Sequence, residues 1–212
     1  MTYVITTFDW VPDMAVGYVR DLRIRWALNE VGAPYQVEAT SIKERTAEHL
    51  LRQPFGQVPI LRDGDRSIFE SGAILLYLGE RYPALLPQDE KGRAETQQWL
   101  IAALNSLEPV VLALTAARVF DRDEAAVARA LPRVHDRLRQ LEPVLADRDF
   151  IAAGRFTLAD ILLADVLRLL GARGELEPYP ALTGYVARMT ARPAFARALA
   201  DQRAHFSGAV PA

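Results

Sequence analysis

The residues best placed to do binding chemistry lie in Gly56-Gln57-Val58-Pro59 and, a short distance on, in Glu70-Ser71. Pro59 has no amide to donate, so a strand opening there leaves the backbone of Val58 at an edge, free to pair with an extended peptide. Glu70-Ser71 falls where a strand pattern becomes a helical one. Exposed amides and the positive end of a helix dipole meet at such a junction and favour a carboxylate, and Ser71 adds a hydroxyl donor. One edge backbone and one anion pocket, a hairpin apart, make a site for a small acidic peptide. Each half also has an ordinary reading, as a helix cap or as an edge strand with proline first. The ordered set is more specific than its parts: G-Q-V-P, an apolar pair, a D-G-D turn, F-E-S-G-A-I and an L-Y-L helix.

The elements that must hold these residues change character along the chain. Tyr3 to Thr7 is β-branched and aromatic and reads as a strand. Ile24, Ala27, Leu28 and Val31 recur at helical spacing within 19–31, and Gly32 supplies a stop. Residues 34–38 read as a second strand and 42–51 as a more polar helix. Residues 58–61 and 67–69 flank Asp63-Gly64-Asp65 as a hairpin, and 73–82 resume a helix. The expected order is β-α-β-α-β-β-α over residues 1–83. Residues 84–91, which follow Pro83 and hold Pro87 and several charges, read as a linker. From 92 to 212 the strand signals vanish, and helices are expected at 93–117, 124–146, 157–170, 182–189 and 193–205. A mixed domain followed by an all-α domain is the architecture.

Composition narrows the function classes. The 212 residues carry a formal net charge of −2, which gives no basic field for nucleic acid or acidic lipid. The chain has no cysteine, which excludes disulfides, thiolate metal sites and a protein-borne sulfur nucleophile. His49, His135 and His205 lie far apart, without ligand partners at helical spacing, and read as surface or interface residues; no metal is expected. The start of the chain lacks the pattern of a signal peptide. Leu158 to Leu170, read as the most apolar helical segment, is interrupted by Asp160, Asp165 and Arg168. No membrane association is expected, and a cytoplasmic location is.

At the 56–74 segment the chain resembles the glutathione S-transferase family. The resemblance implies a thioredoxin-like N-terminal domain that binds glutathione, an all-helical C-terminal domain and a homodimer. It implies a cis bond before Pro59 and pairing of the Val58 backbone with the cysteinyl part of glutathione. Glu70 would take the γ-glutamyl ammonium, Ser71 its carboxylate, and Gln57 would line the same pocket. A second mark lies in Phe156-Thr157-Leu158-Ala159-Asp160-Ile161, a capping box with a hydrophobic staple, which is structural in the family.

Transferases of this kind activate the thiol of bound glutathione, whose pKa near 8.5 leaves little thiolate at neutral pH. The family uses Tyr, Ser or Cys between the first strand and first helix. Here cysteine is absent and no serine occurs before Ser41. Arg23-Ile24-Arg25-Trp26-Ala27-Leu28 is similar to an R-V-R-x-A-L run of serine-type members and puts Tyr18 in the hydroxyl slot. A packed aromatic at a loop–helix junction is the other reading of Tyr18. Arg20 would supply a cation near the sulfur or a carboxylate, or else a solvated side chain paired with Asp21; Thr7 and Trp10 are lesser candidates. The second substrate, a small hydrophobic electrophile, is expected against the first helices of the C-terminal domain, where Trp99, Ala103, Leu107 and Arg118 fall, although Trp99 at helical spacing from Ala103 reads more readily as core. Glutathione transfer, as in detoxification, is therefore the reaction expected. The alternatives are a glutathione-dependent isomerase, dehalogenase or etherase, and a non-catalytic binding or partner-interaction protein.

Overall fold

In the computed structural model, which describes residues 2–207, the chain runs β1 (Tyr3–Phe8), α1 (Asp21–Glu30), β2 (Tyr35–Thr40), α2 (Ala47–Arg52), β3 (Ile60–Asp63), β4 (Arg66–Phe69) and α3 (Ser71–Arg81). It continues through α4 (Glu90–Ala102), α5 (Glu108–Ala116), α6 (Glu124–Leu145), α7 (Leu158–Gly171), α8 (Pro180–Thr190) and α9 (Pro193–Ser207). Two compact units result: Met1–Tyr82 joined by Ala191–Ala212, and Pro83–Thr190. The mixed thioredoxin-like domain and the helical domain are both present.

In the first unit the sheet order is β2-β1-β3-β4. β1 pairs in parallel with β2, from Tyr3 opposite Tyr35 to Phe8 opposite Thr40, with α1 as the crossover. β3 runs antiparallel to β1 and to β4, with Ile60 opposite Phe69. Being internal, β1 is almost wholly buried at Ile5, Thr6 and Thr7. α1 is buried along its whole length from Asp21 to Leu28, where periodicity had promised one apolar face. The reason is that β1, α3 and α9 all pack against it.

Four boundaries differ from expectation. α1 begins at Asp21, so Arg20 precedes the helix, and the residue in the first turn is acidic and suits the dipole. α2 begins only at Ala47, because the Thr46 hydroxyl accepts from the His49 amide at 3.1 Å and caps it there. The β3 ladder starts at Ile60, which leaves Val58 and Pro59 ahead of it. The last helix, expected in the all-α domain, belongs by packing to the first unit: Phe195 meets the fully buried Trp26 edge-on at 4.8 Å. Arg192 grips Glu30 through two bonds of 2.6 and 2.8 Å.

The second unit is all helical. α4 and α5 are joined by a π turn, Ala103–Leu107, and a second, Ala117–Asp121, closes a continuous run from Glu90 to Asp121. By length and composition this run is apolar enough to cross a membrane, and 39% of its apolar window is buried inside the fold. Thr96, Glu108 and a stripe from Leu100 to Ala117 are buried, as in a core helix. α7 is buried throughout its first three turns, and its capping box is in place. Asp160 Oδ2 accepts from the Thr157 amide at 2.8 Å, while Oδ1 takes the Ile151 amide and the Tyr185 hydroxyl, each at 2.9 Å.

Candidate glutathione site

The β3–β4 register brings the two halves of the 56–71 segment together. Ile60 opposes Phe69 at the end of that ladder, so the Val58-Pro59 approach to β3 and the Glu70-Ser71 entry to α3 leave from the same end of the hairpin. The Val58–Pro59 bond is cis, and Val58 has no place in the β1–β3 ladder. Its side chain is nearly buried and Pro59 is buried, whereas Gln57 is exposed.

At α3 the helix mouth carries no side-chain cap. Glu70 sits there at φ 69°, a left-handed setting that costs a non-glycine residue on the order of 1–3 kcal/mol and that tends to mark functional sites. Glu70 is exposed while Ser71 is 4% exposed. Arg23 of α1, itself 1% exposed, donates from Nη1 to Ser71 Oγ at 3.0 Å. With its oxygen accepting from the guanidinium, the hydroxyl keeps its proton for a ligand oxygen. The amides of the first turn point the same way.

The loop leading to Val58 is braced from α2 and its approach. Gly56 stands at φ 63°, its amide on the Gln53 carbonyl at 3.0 Å, and the Arg45 guanidinium donates to the Gly56 and Ser41 carbonyls. Arg45 also lies 4.7 Å over the Phe8 ring. His49, read from sequence as a surface or interface residue, is 1% exposed, its ring set against the Gln57 backbone. Burial pushes its pKa down; Arg45 and Arg52 push the same way, and the Gln57 backbone opposes them. A chain of net negative charge thus gathers arginines around this loop and helix mouth, a setting for an anion.

Tyr18 and Arg20 stand on the turn before α1, both half-buried. The Tyr18 amide donates to the Ala15 carbonyl at 2.9 Å, and Gly17 takes φ 86°. Thr7 is buried at the end of β1, and Trp10 lies in the loop that follows, its amide on Asp9 Oδ1 at 2.8 Å. In the helical unit, Trp99, Ala103 and Leu107 line an apolar cavity of about 150 Å³ with Leu141 and Val144. Arg118 lies apart from it, paired with Glu175. Sequence reasoning missed Arg23, Arg45 and His49. The unusual R-x-R at 23 and 25, on a helix with no polar face to spare, was the one available signal.

Two family models match the chain: "Glutathione S-transferase, N-terminal domain" over residues 5–80, and "Glutathione S-transferase, C-terminal domain" over residues 82–193. Glutathione S-transferase F10 of Arabidopsis thaliana is 35% identical over 129 residues, spanning 56% of this chain and 60% of that protein. Glutathione S-transferase 3 of Zea mays is 30% identical over 196 residues, 84% of this chain and 88% of the relative. Among solved structures, a glutathione transferase family member from Pseudomonas fluorescens with two glutathione molecules bound has a TM-score of 0.81 at 28% identity, covering 93% of this chain and 92% of its own. Each half of the sequence answers to its own domain of one family, and the chain belongs to the glutathione S-transferase family.

Proposed function

We propose that the protein is a glutathione transferase that activates the thiol of glutathione for attack on a small hydrophobic electrophile. The observation that carries this reading is the uncapped mouth of α3, with Arg23 behind Ser71, at the same end of the β3–β4 hairpin as a Val58 that has no ladder partner. The tripeptide's γ-glutamyl carboxylate lies at the Ser71 hydroxyl and first-turn amides, its ammonium at Glu70, and its cysteinyl backbone along Val58. Gln57 and Pro59 complete the wall.

The sulfur then faces the segment between β1 and α1. A Tyr18 hydroxyl donating to it, with the Arg20 charge nearby, lowers the thiol pKa and raises the fraction of thiolate. The thiolate forms a carbon–sulfur bond to the electrophile, and the leaving group departs with its electron pair. Isomerase, dehalogenase and etherase outcomes share every step up to the thiolate, so the electrophile panel decides among them. The protein acts as a cytoplasmic homodimer, without metal, nucleic acid or membrane, and the run 90–121 serves as a core helix.

Calorimetric titration with glutathione, followed by turnover of a chloronitrobenzene, tests the reading. Ser71→Ala should weaken glutathione binding by about 1–3 kcal/mol, the range of a charge-assisted hydrogen bond. Unchanged affinity would remove the carboxylate from the helix mouth. Binding without turnover across a broad panel would make the protein a carrier.

A further inference from the structure

The helix α9 is fixed to its unit at several points and then reaches the segment that precedes α1. Its anchors are the Arg192–Glu30 pair, the Phe195–Trp26 contact, and Asp201, which accepts from the Tyr35 hydroxyl at 2.6 Å. Burial and Asp201 push the Tyr35 phenol up to about 12, so this donor keeps its proton throughout the working range.

From that fixed base, two side chains hold the segment at its ends. The buried amide of Gln202 donates to the Val19 carbonyl at 2.9 Å and to Asp21 Oδ1. His205 Nε2 lies 2.8 Å from the Phe8 carbonyl, an acceptor, so this nitrogen carries the proton. Between those ends Leu199 packs against Gly17: a Cβ built on Gly17 would meet Leu199 Cδ1 at 3.2 Å, and φ 86° already disfavours any side chain there. A single helix thus touches residues 8–20 at their start, Phe8, and near their end, at Gly17 and Val19.

We propose that α9 is a strap on this segment, and that His205 and Gln202 are positioning residues for the thiol-activating side chain it carries. The functional half rests on the proposed reading, in which the segment faces the glutathione sulfur; the mechanical half stands on the contacts alone. Neither residue needs to touch glutathione. Releasing the Phe8 end lets the hydroxyl drift from the sulfur, and such misplacement reduces turnover while leaving the α3 carboxylate site intact.

The test compares His205→Leu, which removes the donor, with His205→Gln, whose amide restores one. Both are followed by amide hydrogen exchange over residues 9–20 and by glutathione-dependent kinetics. In His205→Leu, exchange over 9–20 should quicken by about tenfold. Its kcat should fall by about 5- to 30-fold, with KM for glutathione within about twofold, and the apparent thiol pKa in the pH profile should rise. His205→Gln should recover most of each change, which a packing defect would not do. Unchanged exchange in a folded His205→Leu protein rejects the strap. Faster exchange with unaltered kcat and pH profile rejects the positioning role. Should the wild-type protein bind glutathione yet turn over no electrophile, the transferase reading falls, and exchange with its recovery in His205→Gln still decides for or against the strap.

Discussion

At the scale of single residues, the site is a set of polar groups whose partners are chosen to leave one function open. Ser71 accepts from Arg23 and keeps its proton; the α3 mouth lacks a cap and keeps its amides. In the proposed reading Tyr18 donates to the glutathione sulfur, so Tyr18→Phe should lower kcat by about 10- to 100-fold while leaving glutathione affinity nearly unchanged. Steady-state kinetics with matched binding data decide this, and equal kcat values would remove Tyr18 from the mechanism. His49 makes a separate prediction. Its folded pKa lies below the unfolded value of about 6.5, since burial opposes the charge. Its contribution to stability is therefore complete above that value and lost as pH falls, because the unfolded chain takes up the proton first. His49→Leu removes this term. The stability of the variant relative to wild type should rise as pH falls from 7.5 to 5.5, read by urea denaturation at each pH. A gap that does not change with pH would place the proton elsewhere.

At the scale of elements, local signals in the sequence were strongest where local rules suffice. The Asp-Gly turn, the Thr157–Asp160 cap and the alternation of strand and helix up to Arg81 depend on residues a few positions apart, and all were legible. The Glu70-Ser71 junction was legible too, because strand and helix patterns abut there. What was not legible depends on distant partners. The burial of Arg23 against Ser71, the burial of α1 on every side and the allegiance of α9 are all set by elements tens to hundreds of residues away. Periodicity reads a helix's own face and says nothing of which unit will cover it. The α1–α9 contact shows the consequence. Phe195→Ala removes a ring packed against a fully buried indole, and should destabilise the first unit by about 3–5 kcal/mol. Denaturation followed through Trp26 should show the loss, whereas a cost under about 1 kcal/mol would mean that α9 is only loosely held.

At the scale of the whole molecule, the question is what covers the apolar surface that folding leaves in water. Leu51 is 87% exposed and Phe55 70%, and both stand beside the proposed glutathione loop; on the helical unit Ile101 is 49% exposed and Phe120 72%. Phe55 is not simply a loose loop side chain, since its ring meets Phe69 edge-on at 6.5 Å and is held in place. Large apolar groups in exposed positions favour association, and a two-fold pair of identical chains covers each patch twice. The proposed homodimer would bury them next to the glutathione loop, so pairing and ligand binding should be linked. Sedimentation should therefore give twice the chain mass for the wild-type protein at micromolar concentration. Replacing both Leu51 and Phe55 by serine should shift the chain towards monomer with a small effect on the fold, because neither side chain is buried within it. Glutathione should partly restore pairing if the loop is ordered by both, since what binds the dimer better must also favour it. A wild-type protein that stays monomeric up to about 100 µM would leave these residues without a partner chain and would confine the loop's order to the contacts made by Arg45 and Gln53.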